Sequence, residues 1–198
     1  NVPHEVITTL DFQVSDYHKQ IIGIDLAHTT GKWAAVKVSH DPNSGITYIV
    51  QDFKSENMSV ADFASRLIGM GGRSIPVAWP HDAMRETSSG TVVSQLRKLG
   101  VNVLPEASHM IDPMTGTKTR AVMSVIEKAL DMMNQGTLLF MLRGSEAILT
   151  EMRRYRHKHG KIVSRQDDHC IDSMHKALMM LNLAKPAGAR AFTRSLKI

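Results

Sequence analysis

The sequence predicts a single α/β domain in which an antiparallel group of strands leads into a parallel part. Three apolar segments, residues 21–27, 33–38 and 46–53, follow one another with short polar turns between them, which is typical of an antiparallel meander. Beyond them, short apolar segments alternate with amphipathic helical segments, a pattern typical of strands joined by helices. A chain of 198 residues is long enough for one domain with a core and short for two.

The first predicted strand contains a carboxylate in an otherwise apolar run. The segment IIGIDLA places Asp25 between apolar neighbours, and HTTGK joins it to the second strand. The turn residues DPNSG separate the second strand from the third. Burial of a charge is costly unless something compensates it. We therefore expect Asp25 either to face a cation or to lie where the strand is not buried.

Two helices and two short strands are predicted next. The segment 59–70 begins with a serine, a favoured N-cap, and carries its apolar residues on one face. The segment 91–99 is helical and is followed by a glycine, which commonly ends a helix. The apolar segments 75–80 and 101–105 are the strands expected beside them.

The last third of the chain predicts three helices and further strands. Residues 119–134 have the periodicity of an amphipathic helix, and residues 137–142 form an apolar strand. A short helix is expected to begin near Ser145. The basic segment 152–163 is predicted to form two strands around His-Gly, and residues 166–183 form the last helix.

Composition excludes several classes of protein. Hydrophobic residues make up 42% and charged residues 22%, as in ordinary globular domains. No apolar run has the roughly 20 residues of a membrane helix, and the first residues lack a signal-peptide pattern, so a secreted or membrane protein is not expected. Cys170 is the single cysteine, which excludes disulfides and cysteine-based zinc sites. The net charge of +5 favours a polyanionic partner.

Acidic residues recur at strand ends and on the last helix. Asp25 lies on the first strand, and Asp82 directly follows the fourth. On the last helix, Asp168, Asp172 and His175 share one stripe at 100° per residue. The opposite stripe is apolar: Ile171, Met174, Leu178 and Leu181. If the acidic stripe faces Asp25, the carboxylates repel one another unless a divalent cation such as Mg²⁺ neutralises them.

Four segments resemble a known family. They are GIDLAHTTGKWAAVKV, VAWPHDAM, KTRAVMSVIEKAL with GTLLFM, and YRHKHGKIVSRQDDHCIDSMHKAL. Together they resemble the nuclease domain of the large terminase subunit of tailed bacteriophages, which has an RNase H-like (RuvC-like) fold. The resemblance covers residues 20–182, and its most specific part is the acid–His–x–x–Asp pattern that follows a basic segment with a tyrosine. It implies a central mixed sheet, with three antiparallel strands followed by parallel ones, flanked by helices.

The resemblance implies a set of metal ligands. Asp25 corresponds to the first-strand ligand, Asp82 to the second acid and Asp172 to the third, and these three are the implied catalytic residues. Asp168 is an alternative or additional ligand, because its register against the family is ambiguous, and His169 lies close enough in sequence to approach a metal. The implied cofactors are two divalent metal ions, Mg²⁺ or Mn²⁺, which together hydrolyse a phosphodiester bond.

Basic residues near the last helix are candidates for phosphate contacts. They surround a tyrosine and lead directly into the acidic helix, so DNA backbone binding is the functional interpretation and a solvated charged ribbon is the alternative. The predicted DNA-binding residues are Arg153, Arg154, Arg156, Lys158, Lys161 and Lys118.

The resemblance also implies an activity and partners. The expected activity is metal-dependent cleavage of concatemeric double-stranded DNA during viral packaging, with little sequence specificity. The family also has an ATPase domain upstream of the nuclease domain. Because GMGGRS is no Walker A motif, we expect that ATPase domain elsewhere in the same polypeptide. We predict a linker at 1–19, the nuclease domain at 20–183 and a basic tail at 184–198. Further implied partners are the portal protein and the small terminase subunit, with the host cell cytoplasm as location and a monomeric isolated domain.

Three other functions stay open at this point. A RuvC-type resolvase has a related fold and would form dimers that prefer four-way junctions. A docking module for a portal or small subunit would retain the acids without cutting DNA. The first hairpin also resembles the phosphate loop of actin-type ATPases, but those proteins need a second related lobe, which the sequence lacks.

Overall fold

The structure is a computed structural model, and it describes residues 7, 9–11, 13–27, 31–84, 90–112, 114–119, 122–155, 157–158, 161–162 and 167–187. The strands are β1 (Thr9–Leu10), β2 (Lys19–Ala27), β3 (Lys32–His40), β4 (Thr47–Glu56), β5 (Val77–Ala78), β6 (Met110–Ile111), β7 (Lys118–Thr119), β8 (Leu138–Met141), β9 (His157–Lys158), β10 (Lys161–Ile162) and β11 (Lys185–Pro186). The α-helices are α1 (Val60–Gly69), α2 (Val92–Lys98), α3 (Val122–Asn134), α4 (Glu146–Arg154) and α5 (His169–Met179), with 3₁₀ turns at His81–Met84 and Leu181–Leu183.

The central sheet is mixed, as the sequence predicts. Its strands lie in the order β1-β8-β4-β3-β2-β11, and β5 also pairs with β2. The long strands β2, β3 and β4 are antiparallel. The pairs β2–β5, β4–β8 and β1–β8 are parallel. The sheet therefore combines an antiparallel meander with parallel strands on both sides of it.

Helices cover both faces of the sheet. Successive side chains of a strand point to opposite faces, so Gly23 and Asp25 lie on one face of β2 and Leu26 on the other. Phe63 of α1 makes an edge-to-face contact with Trp33, the cross-strand partner of Leu26. The face that carries Gly23 and Asp25 is covered by α5. Because both faces are covered, β2 and β3 are apolar along most of their length and almost fully buried.

Helix α5 lies unusually close to β2. A methyl group added at Gly23 would come within 1.9 Å of the carbonyl oxygen of Ser173 and 2.7 Å of the backbone nitrogen of Ala177. Only glycine leaves room for this approach. Because Asp25 lies two residues further along the same face, the close packing brings the start of α5 to its carboxylate.

Three predicted elements differ from the structure. The strand expected at 75–80 is reduced to β5, because Pro76 and Pro80 flank it and proline offers no N–H to extend its pairing with β2. Residues 101–105 were expected to form a full strand, but they pair with β5 only through a bridge between Val77 and Val103. Val77 makes the bonds of this bridge: its N–H donates to the carbonyl oxygen of Asn102, and its own carbonyl oxygen accepts from the N–H of Leu104. Residues 152–154 were expected in a basic strand but form the last turn of α4. The rest of that prediction is confirmed, because β9 and β10 pair as an antiparallel hairpin.

Segments predicted as linker and tail contribute to the sheet. Strand β1 pairs with β8, and β11 pairs with the first residues of β2. The domain limits themselves stay a prediction. Across the described part of the chain, no helix combines the length and apolar character needed to cross a membrane.

Candidate functional site

Asp25 lies near the carboxyl end of β2 and meets the first residue of α5. Its Oδ2 is 2.9 Å from Nδ1 of His169, and the two side chains are 14% and 13% exposed. The hydrogen bond to Asp25 raises the pKa of His169 above its ordinary value. The carboxylate that the sequence places in an apolar strand is therefore largely buried and has an imidazole partner.

Two more carboxylates, those of Asp168 and Asp172, lie at the start of α5. Asp168 stands at the N-cap position, and the N–H of Asp172 donates to its carbonyl oxygen over 2.8 Å. Burial, reinforced by the charge of Asp172, raises the pKa of Asp168 to about 6. Burial and these two aspartates also raise the pKa of the Tyr155 hydroxyl. His175, predicted on the same stripe, is buried, with its Nδ1 3.7 Å from the Asp172 carboxylate.

A buried glutamate on α4 binds the first turn of α5. Glu151 has a side chain that is 2% exposed, and its Oε1 accepts a hydrogen bond from Nζ of Lys54 over 2.8 Å. Its Oε2 accepts from the backbone N–H groups of Cys170 and Ile171 over 2.8 Å and 3.0 Å. These donors offset the cost of a buried carboxylate and tie α5 to α4.

Lys54 also binds the residue that precedes the N-cap of α5. Its Nζ lies 2.8 Å from Oδ2 of Asp167, whose Oδ1 is 3.4 Å from Nζ of Lys32. These two lysines, above all the hydrogen bond from Lys54, hold the pKa of Asp167 below its usual range. Both lysines come from the central meander, so the start of α5 is anchored to β3 and β4.

Helix α4 is itself anchored to β4. Oδ2 of Asp52 accepts a hydrogen bond from the N–H of Ile148 over 2.7 Å, in the first turn of α4. Burial raises the pKa of Asp52 to about 6. Thus β4 holds α4 through Asp52, and α4 holds α5 through Glu151.

Asp82 lies at the same edge of the sheet as Asp25. It is exposed in the 3₁₀ turn that follows β5, and β5 runs parallel to β2. Its neighbour His81 lines a cavity of about 640 Å³ together with Trp79, Met84 and Lys118. Parallel strands end at the same edge of a sheet, so the second predicted acid follows the strand next to the first.

No complete metal site is assembled from the residues that the structure describes. Within them, no three His, Cys, Asp or Glu side chains converge as ligands of one ion. The structure joins Asp25 to His169 and places Asp168 beside Asp172. The ligand roles of these four residues and of Asp82 stay predictions.

The predicted DNA-binding residues fall into two places. Arg153 and Arg154 are exposed at the end of α4, directly before the β9–β10 hairpin that contains Lys158 and Lys161. Arg156 lies outside the described residues. Lys118 is on the separate β6–β7 hairpin, where it forms an ion pair with Glu106.

Sequence reasoning missed Glu151 and Lys54. A signal for Glu151 existed, because it stands on the buried face of α4 between Ile148 and Met152. A carboxylate on an apolar helix face indicates a partner that offsets its burial. That partner could not be named, since Lys54 is 97 residues away in the sequence.

A comparison with protein families finds a match over most of the chain. Residues 22–181 match the family model described as Terminase RNaseH-like domain. The large terminase subunit of Salmonella phage P22 is 28% identical over 188 residues, which are 93% of this chain and 36% of that protein. The chain therefore spans about a third of the length of this curated relative.

Solved structures show the same fold. The nuclease domain of the P22 large terminase superposes with a TM-score of 0.78 at 24% identity, covering 94% of this chain and 93% of that one. The nuclease domain of the large terminase from bacteriophage SPP1, with bound Mn, gives a TM-score of 0.64 at 16% identity and covers 90% and 98%. The predicted RNase H-like fold is thus confirmed.

Proposed function

The chain belongs to the family of terminase RNase H-like domains, and from this we propose that it is the metal-dependent endonuclease domain of a viral DNA-packaging terminase. Its reaction is the hydrolysis of phosphodiester bonds in concatemeric double-stranded DNA, with little sequence specificity. The observation that carries the proposal is the 2.9 Å contact between Asp25 and His169. This contact joins the strand with the first acid to the helix with the others.

Divalent cations, Mg²⁺ or Mn²⁺, are the proposed cofactors. Asp25, Asp82 and Asp172 would hold them, with Asp168 as an alternative or additional ligand and His169 beside them. Carboxylates are the ligands that such hard cations prefer. Burial raises the pKa of Asp168 and the charge of Asp172 adds to it, and a bound cation would offset both effects. When bound, two such cations supply an activated water and stabilise the charge of the transition state. The related SPP1 domain was solved with Mn bound.

Residues of the chain have further roles in this proposal. The His169 imidazole orients the Asp25 carboxylate through its Nδ1 contact. Arg153 and Arg154 contact DNA phosphates together with the β9–β10 hairpin that follows them. Such contacts hold the backbone without reading base edges, which accounts for low sequence specificity.

The proposal extends to the partners of a large terminase subunit. They are an ATPase domain of the same polypeptide, the portal protein and the small subunit, in the cytoplasm of the host cell. The support is that the P22 relative is a large terminase subunit, of which the matched part is 36%.

Plasmid nicking tests the proposed function. Wild-type protein is incubated with supercoiled DNA and Mn²⁺, Mg²⁺ or EDTA, alongside Asp25→Asn. Asp131→Asn, at an exposed position of α3, is the matched control because it makes the same chemical change. We expect cutting by wild type and control with either metal, and none with EDTA or in Asp25→Asn. A folded wild type that binds DNA and metal without cutting, or equal cutting by Asp25→Asn, would overturn the proposal.

A further inference from the structure

The first turn of α5 takes its capping acceptor from another helix. The first backbone N–H groups of a helix have no partner within it, and the N-cap side chain usually supplies one. Asp168 holds the N-cap position of α5, and aspartate is a favoured cap. Within the described part of the chain, however, its side chain makes no capping hydrogen bond.

Glu151 supplies the missing acceptor. Its Oε2 receives the N–H groups of Cys170 and Ile171 over 2.8 Å and 3.0 Å, and its Oε1 receives Nζ of Lys54 over 2.8 Å. All three bonds are charge-assisted, so they are short and directional. With a side chain that is 2% exposed, the carboxylate is held by the packing of α4 as well as by its donors.

From this arrangement we infer that Glu151 is a positioning residue for the acidic end of α5. By capping the helix from α4, it leaves the carboxylates of Asp168 and Asp172 available to bind cations. It also fixes the first turn of α5, so that His169 meets Asp25. The inference rests on the proposed function, because positioning matters only if these acids bind metal.

The place where Glu151 binds α5 distinguishes a positioning role from a general stabilisation of the fold. Glu151 binds the one turn of α5 that carries the candidate ligands, while Gly23 sets the distance of the helix further along. Residues that hold metal ligands in place commonly change metal affinity by 10–100-fold when they are mutated. The expected effect therefore falls on metal binding as well as on folding.

Three variants separate the interactions of Glu151. Glu151→Ala removes both interactions of the carboxylate, the cap on the Cys170 and Ile171 amides and the bond to Lys54. Glu151→Gln keeps an oxygen for the Cys170 and Ile171 amides and gives up the charged bond to Lys54. Glu146→Ala is the matched control, because Glu146 lies on the same helix and its carboxylate accepts the backbone N–H of Gly144, away from α5.

Two measurements on the whole chain test the inference. Hydrogen exchange of the Cys170 and Ile171 amides is followed without metal, and Mn²⁺ affinity is measured by calorimetry. Glu151→Ala should speed exchange at both amides and weaken Mn²⁺ binding at least tenfold. Glu151→Gln and Glu146→Ala should keep a Mn²⁺ affinity close to that of wild type, well short of a tenfold loss. If Glu151→Ala does not fold, Glu151→Asp, whose shorter side chain withdraws the oxygen, takes its place.

The outcomes that overturn the inference are specific. Wild-type Mn²⁺ affinity in folded Glu151→Ala, or in Glu151→Asp used in its place, would show that the cap does not position the ligands. If Glu151→Gln loses Mn²⁺ affinity while both amides stay protected from exchange, the bond to Lys54 and not the cap would position the ligands. The proposed function fails separately, if wild-type protein neither binds Mn²⁺ nor nicks DNA.

Discussion

Oδ2 of Asp25 lies 2.9 Å from Nδ1 of His169, although 144 residues separate the two in the sequence. The contact joins the carboxyl end of β2 to the first residue of α5. It gives a strand carboxylate a partner and places it at the end of α5 that carries Asp168 and Asp172.

Asp25→Asn should lower the pKa of His169 in the metal-free protein. The hydrogen bond to the Asp25 carboxylate is the main cause that raises this pKa above 6.5. A raised folded-state pKa means that the pair stabilises the protein below pH 6.5, and that this stability is lost as pH rises through the folded-state pKa. NMR titration of the imidazole measures the change. Asp131→Asn should leave the titration unchanged, and an unshifted His169 in Asp25→Asn would contradict the contact.

Gly23→Ala should destabilise the domain by about 3 kcal/mol, since overpacking a tight interface commonly costs 1–3 kcal/mol or more. The added methyl group would meet the Ser173 carbonyl oxygen at 1.9 Å. Gly69→Ala is the matched control, because no atom lies within 4 Å of its new methyl group at the end of α1. It should be neutral or stabilise by about 0.5 kcal/mol. Urea unfolding of both variants gives the comparison, and equal midpoints would show that α5 does not rest on β2 at Gly23.

Asp52→Asn should remove a pH-dependent part of the stability. Burial raises the folded-state pKa of Asp52 to about 6, so the folded state holds this proton more tightly than the unfolded state. The contribution of Asp52 to the free energy of unfolding therefore falls as pH rises from about 4 to about 6. The free energy of unfolding of Asp52→Asn, minus that of wild type, should rise by about 1–2 kcal/mol between pH 4 and pH 7. A difference that is constant with pH would argue against a buried carboxylate at this position.

Asp172→Asn should abolish Mn²⁺-dependent nicking, as Asp25→Asn does, while Asp168→Asn should retain part of it. This order follows from the family resemblance, which assigns Asp172 as the third ligand and Asp168 as its alternative. Nicking rates at saturating Mn²⁺ and the calorimetric Mn²⁺ affinity of each variant decide between them. A more severe loss in Asp168→Asn would reverse the assignment.

Alanine at both Arg153 and Arg154 should weaken DNA binding and its dependence on salt. Each phosphate contact contributes about 0.9 to the slope of log affinity against log salt, so the slope should fall by about 2. Fluorescence anisotropy with labelled duplex DNA at several salt concentrations measures it. Arg66→Ala, at an exposed position of α1, should change the slope little. An unchanged slope in the double variant would place the DNA elsewhere on the protein.

Several elements of the fold could be predicted from the sequence because their signals are local. The turn residues DPNSG and the apolar runs on either side predict the meander of β2, β3 and β4, which the structure confirms. The periodicity of residues 119–134 and the serine cap of α1 predict helices, and the structure has α3 at Val122–Asn134 and α1 at Val60–Gly69. Residues within a few positions of one another determine such patterns. Asp25 was visible for the same reason, as one charge within an apolar run.

The tertiary structure alone decided which side chains meet. Asp25 pairs with His169 and Glu151 with Lys54, although about 100 residues or more separate the members of each pair. Glu151 also binds backbone amides of α5 from a separate helix, α4. The shortness of β5 has a local cause instead, because Pro76 and Pro80 limit a segment whose apolar residues predict a longer strand. By itself, the sequence determined which chemical groups the candidate site contains, namely carboxylates and basic side chains. Their mutual positions follow from the packing of α5 against β2 and α4, since a contact between distant residues forms only when whole elements pack together.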